Sequence, residues 1–301
     1  MGVVTMALTL ADIDNLTGGR VGTFDVACPW CGPDRRASIN QRRKVLRVWR
    51  TEPGFASFTC ARCGESGYAR EGTEAGPRRP PTREQEQARA EVRAEAEAIQ
   101  RAAKAQRLAV AQRLWLMREP VHGSPVITYL RQVRGYNGRI PDTLGYLPAR
   151  GEYAPAMIAG FGLAEEPAPG ALSLPLHLLT GIHLTKLLPD GSGKAGGVAD
   201  KVMVGHSAGS PLVLAPMNDL LGLAIIEGIE KGLALHEITG LGVWASCGAK
   251  RMPPLAEVVP DFADCVTIRA DNDRDGLRYA RLLADGLSAR RIHAEIRLTV
   301  D

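Results

Sequence analysis

Apolar and polar positions alternate most clearly in the C-terminal third of the chain, from Leu220 onward. Four short apolar runs there favour strands, and two longer stretches have the apolar spacing of helices. The runs are Leu223–Ile226, Val243–Ala245, Cys265–Ala270 and Ala294–Val300, and the helical stretches are Ile229–Thr239 and Leu277–Ala289. Strands that alternate with helices predict a parallel or mostly parallel sheet with helices on its faces.

Three further segments precede this one. Residues 20–70 contain two short β-like runs, Lys44–Arg50 and Phe55–Thr59, on either side of a Pro-Gly turn, and predict a small β module. Residues 71–120 read as a Gly- and Pro-containing linker followed by a long charged helix. Residues 121–217 predict an irregular α+β domain, and 218–301 carry the parallel sheet. The predicted fold class is therefore α/β and α+β multidomain.

Composition sets broad limits. The 301 residues are 45% hydrophobic and 23% charged, with a formal net charge of +4, as in an ordinary globular protein of mildly basic character. We find no run of about 18 apolar residues and no signal-peptide pattern, so we expect a cytoplasmic protein. The basic charge is concentrated between Arg35 and Arg50, which contains no acidic residue. That stretch is suited to binding phosphates.

Four of the six cysteines form two CxxC pairs, each followed by a glycine. Each pair places two thiols on one tight turn, and four thiolates form a closed tetrahedral set that favours Zn²⁺ in a structural role. The pairs are Cys28 with Cys31 and Cys60 with Cys63. Disulfide or redox use, and iron in place of zinc, are the alternatives. A bound metal would supply much of the folding free energy of so small a module.

Basic and aromatic side chains lie beside the cysteines. Together they suit single-stranded nucleic acid, through phosphate contacts and base stacking. The basic candidates are Arg42, Arg43, Lys44 and Arg47, and the aromatic ones are Trp49, Phe55 and Phe58. The aromatic residues fit the small core of the module equally well, and the sequence leaves both interpretations open for Phe55 and Phe58.

Acidic residues follow two of the predicted C-terminal strands. Glu227 ends the first, and Asp271 and Asp273 end a later one. Ligands of an open α/β sheet collect at the carboxyl ends of its strands, so we expect these acids to converge. An extended Asp-Asn-Asp segment would place both aspartates on one side, where Mg²⁺ or Mn²⁺ would neutralise them. Glu230 and Asp275 are weaker candidates, since each also fits a helix N-terminal charge.

An apolar strand ending in Glu227-Gly228, then a helix, then Asp271-x-Asp273 with a nearby glycine resembles the Toprim domain of primases, topoisomerases and certain nucleases. With the cysteine module ahead of it, the chain resembles the Toprim primases of phages and plasmids, relatives of the bacterial replicative primase. Two departures are visible. The bacterial ribbon typically uses Cys-His-Cys-Cys, and no phosphate-binding loop of a fused helicase appears.

The resemblance extends loosely to the segment before the Toprim unit, where the related proteins present basic residues to substrate. It implies phosphate contacts by His183, Thr185, Lys186 and Lys194, and places Lys201 with the catalytic acids. It also implies primer synthesis on single-stranded DNA from nucleoside triphosphates, with a separate helicase as a further partner. A Toprim nuclease and a non-catalytic RecR-type DNA-binding accessory are the alternatives.

Overall fold

The computed structural model describes residues 8–32, 43–71, 83–197 and 200–298. The chain divides into two compact units, residues 1–87 and 88–301. Both contain helices and sheets, and the mixed α/β class predicted from the sequence is confirmed. The helices are α1 (Leu10–Thr17), α2 (Arg83–Leu116), α3 (Pro125–Thr128), α4 (Ile229–Thr239) and α5 (Arg274–Ala289).

The first unit is one helix and a four-stranded antiparallel sheet in the order β1-β2-β3-β4. The strands are β1 (Gly22–Val26), β2 (Leu46–Glu52), β3 (Phe55–Cys60) and β4 (Ser66–Arg70). Alternate positions of β2 and β3 point inward, so Leu46, Val48 and Phe58 form a small core with Ile13 of α1. α1 begins at a capping box on Thr9 and ends at Gly18, which has φ of +67°.

The C-terminal end of α2 packs against the first sheet of the second unit. Ala111 and Trp115 are buried there against Ile158, Leu179 and Ile182. The sheet is antiparallel in the order β10-β9-β6-β5. A separate two-stranded hairpin, β7-β8, lies between β6 and β9 in the sequence. The strands are β5 (Leu144–Leu147), β6 (Ala156–Phe161), β7 (Glu165–Ala168), β8 (Ala171–Ser173), β9 (Gly181–Lys186) and β10 (Lys201–Gly205).

The second sheet of this unit has the order β11-β13-β12-β14-β15, in which only β11 runs antiparallel. The strands are β11 (Leu212–Ala215), β12 (Gly222–Ile226), β13 (Gly242–Ala245), β14 (Cys265–Ala270) and β15 (His293–Leu298). α4 and α5 flank the sheet, so the mostly parallel architecture predicted for the C-terminal segment is confirmed. β11 precedes residue 218, which means that the sheet begins inside the segment assigned to the middle domain.

One apolar core joins the middle segment to the parallel sheet. Tyr129 and Phe161 pack in the same cluster as Leu212, Ile226 and Leu233. The second unit therefore behaves as one packed body around its two sheets. Within the described part of the chain, no helix is both long enough and apolar enough to cross a membrane.

Candidate functional site

Four cysteine sulfurs come together in the first unit. Cys28 Sγ lies 3.7 Å from Cys63 Sγ, and Cys31 Sγ lies 3.7 Å from Cys60 Sγ. All four ligand atoms lie within 4.8 Å of one another. Tetrahedral Zn²⁺ with bonds of about 2.3 Å requires sulfurs separated by roughly 3.8 Å, so the cluster has the dimensions of a zinc site.

The electrostatic environment differs from one thiol of the cluster to the next. Burial raises the pKa of Cys28 to about 12. Burial also raises the pKa of Cys60, but the backbone N–H groups of Cys63 and Arg62 and the neighbouring thiols outweigh it and lower the value to about 7. None of the six cysteines is in a disulfide. The four-cysteine cluster therefore has the ligand set and dimensions of a zinc-binding site.

The solvent face of the first sheet carries aromatic and basic side chains. In register across the strands, Trp49 lies opposite Ser57, which lies opposite Tyr68. The Tyr68 ring stacks on Phe55 with centroids 6.2 Å apart, and Trp49 and Tyr68 are both exposed. Tyr68 was not among the residues selected from the sequence, because alternation along a short Ser-Gly-Tyr run gives no clear face.

Phe58 is buried in the core of the unit and stacks near Trp30, so of its two interpretations the structure supports the core. Among the predicted basic residues, Arg47 forms a two-pronged ion pair with Asp25 at 2.7 and 2.8 Å. Lys44 is exposed on the same unit, Arg43 is exposed and engaged in a contact of its own, and Arg42 lies outside the described residues.

A cleft of about 280 Å³ opens at the carboxyl ends of β12 and β14. Its acidic lining residues are Glu227, Glu230 and Asp271, and its basic lining residues are Arg134, Lys194, Lys201 and Lys231. Parallel neighbouring strands end at the same edge, which is why residues 44 positions apart in sequence meet there. The cleft combines carboxylate oxygens with a surplus of cationic groups.

Glu227 directly follows β12 and is half-buried in the cleft. Its pKa is raised, first by burial and then by the charge of Asp271. A hydrogen bond from the backbone N–H of Ala249 acts in the opposite direction and lowers the pKa. The charge of Asp273 adds to the rise, and Lys201 opposes it. The charges of the two aspartates thus disfavour the ionised form of Glu227, a condition that a bound cation would relieve.

The Asp-Asn-Asp segment is not extended, contrary to the expectation from sequence. The N–H of Asp273 donates to the carbonyl oxygen of Asp271 at 2.8 Å, so the chain turns. Asp273 Oδ1 accepts from the N–H of Gly276 at 2.6 Å and caps α5, while Asp271 Oδ1 lies 3.1 Å from Lys231 Nζ. A Cβ on Gly276 would lie 2.5 Å from the Asp271 carbonyl oxygen, so this turn requires glycine.

Glu230 has a more specific place than a helix N-terminal charge. It lies in the first turn of α4, but its side chain is only 8% exposed and Oε1 is 3.2 Å from Lys194 Nζ. The Tyr129 hydroxyl donates to the same oxygen at 2.8 Å. Although burial raises the pKa of Glu230, the N–H and Tyr129 hydrogen bonds and the charges of Lys194 and Lys201 outweigh it and lower the value to about 2.

No sequence pattern indicates this contact, because Tyr129 and Glu230 are 101 residues apart. Tyr129 lies in a π-helical turn, Tyr129–Val133, that also leads to Arg134 of the cleft. Burial and the Glu230 charge raise the pKa of the Tyr129 hydroxyl, so it stays a donor. Glu230 therefore remains ionised and holds Lys194 at the cleft wall.

The residues expected to contact phosphate divide into two groups. His183, Lys194 and Lys201 line the cleft, whereas Thr185 and Lys186 do not. Thr185 is 1% exposed and does not line the cleft, so its position gives no support to the phosphate contact expected of it, which stays a prediction. Lys186 extends from the opposite face of β9.

His183 is also nearly buried, and its pKa is lowered to about 4, first by burial and then by the charge of Lys201. It is therefore neutral at physiological pH and lines the cleft as a hydrogen-bonding group rather than a cation.

Asp275 lies exposed in the first turn of α5 and does not line the cleft, which fits its helix N-terminal interpretation. Cys247 also lines the cleft, with φ of +55°. Among the described residues, the four cysteines of the first unit form the one set of three or more ligands already within metal-binding distance of one another. The carboxylates of the cleft are more widely spaced.

Comparisons with known proteins agree with the C-terminal architecture. The family model of the Toprim domain matches residues 222–299, and that of DUF7146, a domain of unknown function, matches residues 105–214. No curated protein matches the chain. The crystal structure of the Aquifex aeolicus primase, comprising its zinc-binding and RNA polymerase domains, is similar at 13% identity and a TM-score of 0.42, covering 98% of this chain and 77% of that chain.

The Toprim domain expected from the sequence is thereby confirmed for the C-terminal segment, and it follows a four-cysteine cluster in the same chain. The DUF7146 match ends at residue 214, within β11, so it includes most of the strand that completes the Toprim sheet.

Proposed function

We propose that this protein is a DNA primase, which synthesises short primers on single-stranded DNA from nucleoside triphosphates. The observation that carries the proposal is the cleft of the Toprim domain, where three carboxylates and four cationic side chains meet at the ends of β12 and β14. Nucleotidyl transfer needs both kinds of group, because a triphosphate must be bound and its reacting phosphate held in line. A cytoplasmic location and a separate helicase partner belong to the same proposal.

The donor set fits a hard divalent cation. Glu227, Asp271 and Asp273 offer only carboxylate oxygens, the ligand type that Mg²⁺ and Mn²⁺ prefer, and burial followed by the charges of Asp271 and Asp273 raises the pKa of Glu227. Glu227 and Asp271 would hold the ion from the cleft wall. When bound, such an ion polarises a phosphoryl oxygen and orients the attacking and leaving oxygens.

The cationic residues of the chain would bind the nucleotide. Lys194, Lys201 and Arg134 line the same cleft as the acids and are suited to the negative charge of a triphosphate. The buried Glu230 fixes the position of Lys194, so that less side-chain entropy is lost when phosphate binds. Lys231, paired with Asp271, would hold that carboxylate in the cleft until metal and substrate arrive.

The first unit would engage the template. Trp49, Phe55 and Tyr68 form an aromatic surface on one sheet face, and aromatic surfaces bind single strands by base stacking with little sequence preference. Because the zinc site beneath this sheet is closed, it would stabilise the platform without taking part in the reaction.

The test is primer synthesis by the full chain on single-stranded DNA, with labelled nucleotides and Mg²⁺ or Mn²⁺. We expect short template-dependent products that vanish in Glu227→Ala and Asp271→Ala and persist in Asp285→Ala, an exposed acid of the same domain. Cleavage of the DNA without synthesis would replace this function by a Toprim nuclease, since water can take the place of the 3′-hydroxyl. DNA binding with neither reaction would indicate a non-catalytic accessory protein.

A further inference from the structure

The outer face of α5 carries a stripe of arginines. Arg274, Arg278 and Arg281 are separated by four and three residues, the spacing that places side chains on one face of a helix. All three are exposed and, with Leu277 and Leu282, they line an open groove of about 440 Å³. We call these three residues the α5 arginine stripe.

The stripe differs from two other arginines at this end of the chain. Arg290 is ion-paired with Asp261, and Arg297 is ion-paired with Glu295. Within the described residues, no carboxylate forms an ion pair with any member of the α5 arginine stripe. Like charges at this spacing destabilise a helix by a few tenths of a kcal/mol per pair, and within the described residues no ion pair offsets this cost for the stripe.

Packing does not explain the arginines either. The opposite face of α5 anchors the helix, because Ala280, Leu283 and Leu287 are fully buried against the sheet. Arg278 lies over the neighbouring Tyr279 ring at 5.5 Å, a contact within the same helix that leaves the guanidinium on the surface. The three side chains are therefore presented to solvent on a rigid element.

The stripe begins beside the cleft. Arg274 directly follows the cap residue Asp273, and Asp271 of the cleft precedes that cap by two residues. From Arg274 to Arg281 the helix rises about 10 Å, which corresponds to roughly three phosphates of one strand at about 3.4 Å of axial rise each. Arginine also binds phosphate oxygens in a two-pronged manner that lysine cannot match.

From this placement we infer that the α5 arginine stripe is a binding surface for the phosphodiester backbone of the nucleic acid that enters or leaves the Toprim cleft. The arginines contact successive phosphates, and Leu277 and Leu282 contact the apolar edges of the sugars. The inference rests on the proposed function for the identity of the strand, since the cleft at the start of the stripe is where that strand reacts.

The salt dependence of binding tests this surface directly. The full chain is titrated against a fluorescently labelled single-stranded oligothymidylate and against a duplex of the same length, over a series of salt concentrations, without nucleotide or added divalent metal. Each phosphate contact contributes about 0.7 to the slope of log affinity against log salt for a single strand and about 0.9 for a duplex. We expect the variant R274A/R278A/R281A to lower that slope by about 2 to 3.

Two further variants make the result specific. R93A/K104A/R107A removes the same charge from exposed positions of α2 and should leave the slope at the wild-type value. R274K/R278K/R281K keeps the charge and should retain most of the slope. If the alanine variant loses more of the slope on the duplex than on the single strand, the surface binds the paired product. If it loses more on the single strand, the surface binds the template.

An unchanged slope in the alanine variant, or an equal drop in the α2 variant, would overturn the inference. If the triple variant does not fold, the single variant Arg278→Gln gives the same test, with an expected drop of about 0.7 to 0.9. Binding is measured without the reaction, so a failure of primer synthesis leaves this result standing. Conversely, intact primer synthesis together with an unchanged slope would exclude the α5 arginine stripe as a binding surface and leave the proposed function standing.

Discussion

The two candidate metal sites of this protein are assembled in different ways. In the first unit, four cysteine sulfurs already lie within 4.8 Å of one another, with two of them almost completely buried. In the Toprim cleft, each aspartate is held by a protein partner instead, Asp271 by Lys231 and Asp273 by the N–H of Gly276. The cysteine site is complete in its ligands, whereas the cleft is open and lined by cations.

This is the difference expected between a structural metal site and a catalytic one. A closed set of four thiolates has no position for a substrate, and its binding free energy becomes folding free energy. An open cleft that mixes carboxylates with lysines and arginine is suited to a cation and a polyphosphate that arrive together. Loss of the first site should therefore unfold its unit, while loss of the second should stop the reaction and leave the fold intact.

The largest expected effect is at the zinc site. Cys60→Ser should abolish zinc binding and unfold residues 8–71, because structural zinc contributes on the order of 10 kcal/mol to such small units. Zinc content by mass spectrometry and limited proteolysis measure this. Cys265→Ser, at a half-buried cysteine of β14, is the matched control and should keep full zinc. A zinc-free Cys60→Ser variant that resists proteolysis like the wild type would contradict the structural role.

Loss of the buried carboxylate of the cleft comes next. Glu230→Ala leaves Lys194 and the Tyr129 hydroxyl without their shared acceptor, and should destabilise the second unit by about 3 kcal/mol. Denaturant unfolding measures the change, and Glu237→Ala, an exposed glutamate of the same helix, should stay within about 0.5 kcal/mol of the wild type.

The same carboxylate should make the stability of the second unit depend on pH. The pKa of Glu230 is lowered to about 2 in the folded protein, so its stabilisation is present above its ordinary value and is lost as pH falls toward 2. Glu230→Gln should flatten the stability profile in that range. An unchanged profile would show that the ion pair with Lys194 does not form in solution.

A smaller effect is expected at milder acidity from His183. Its pKa is lowered to about 4 by burial and by the charge of Lys201, while in the unfolded chain it takes up a proton near its ordinary value of about 6.5. The unfolded state therefore binds more protons between these values, and stability should fall by about 2 kcal/mol as pH drops through the window. Denaturant unfolding at pH 7 and at pH 4.5 measures this loss of stability, which should be smaller in His183→Gln than in the wild type. An equal loss in the two proteins would show that His183 does not contribute to it.

The smallest effect concerns the aromatic surface of the first unit. Tyr68→Ala should weaken binding to a single-stranded oligothymidylate by about 1 to 2 kcal/mol, since each base stacked on an aromatic ring contributes about that much. Its effect on stability should be slight, because Tyr68 is 66% exposed. Exposed Leu220→Ala serves as a control for loss of apolar surface. Wild-type affinity in Tyr68→Ala would exclude this face from template binding.

The sequence was most informative where the hydrophobic pattern is regular. The bounds predicted for Ile229–Thr239 and Cys265–Ala270 agree with α4 and β14. The start of α5 was placed three residues too late, because Asp273 caps the helix and its polar first turn hides the apolar spacing. α1 was not predicted, although Thr9 and Asp12 form a capping box at its start.

Long-range contacts were the part that the sequence could not supply. Glu227 and Asp271 could be placed together, because parallel strands end at one edge. The ion pair between Glu230 and Lys194 is supported by Tyr129, whose hydroxyl donates to Glu230. Tyr129 belongs to the core shared by the middle segment and the parallel sheet, and no periodicity in the sequence indicates that contact. The burial of Thr185 likewise depends on what packs on that face of β9, which spacing along the sequence does not determine.

The most direct test of the account is nucleotide incorporation on single-stranded DNA at fixed zinc content, with Mg²⁺ as the variable. If the Toprim cleft is a metal-dependent primase site, the zinc-loaded chain gives no synthesis without Mg²⁺, synthesis that rises with added Mg²⁺, and none at any Mg²⁺ concentration in zinc-loaded Asp271→Ala. Synthesis that needs no added Mg²⁺, synthesis that survives in Asp271→Ala, or no synthesis by the wild type under any of these conditions would contradict it.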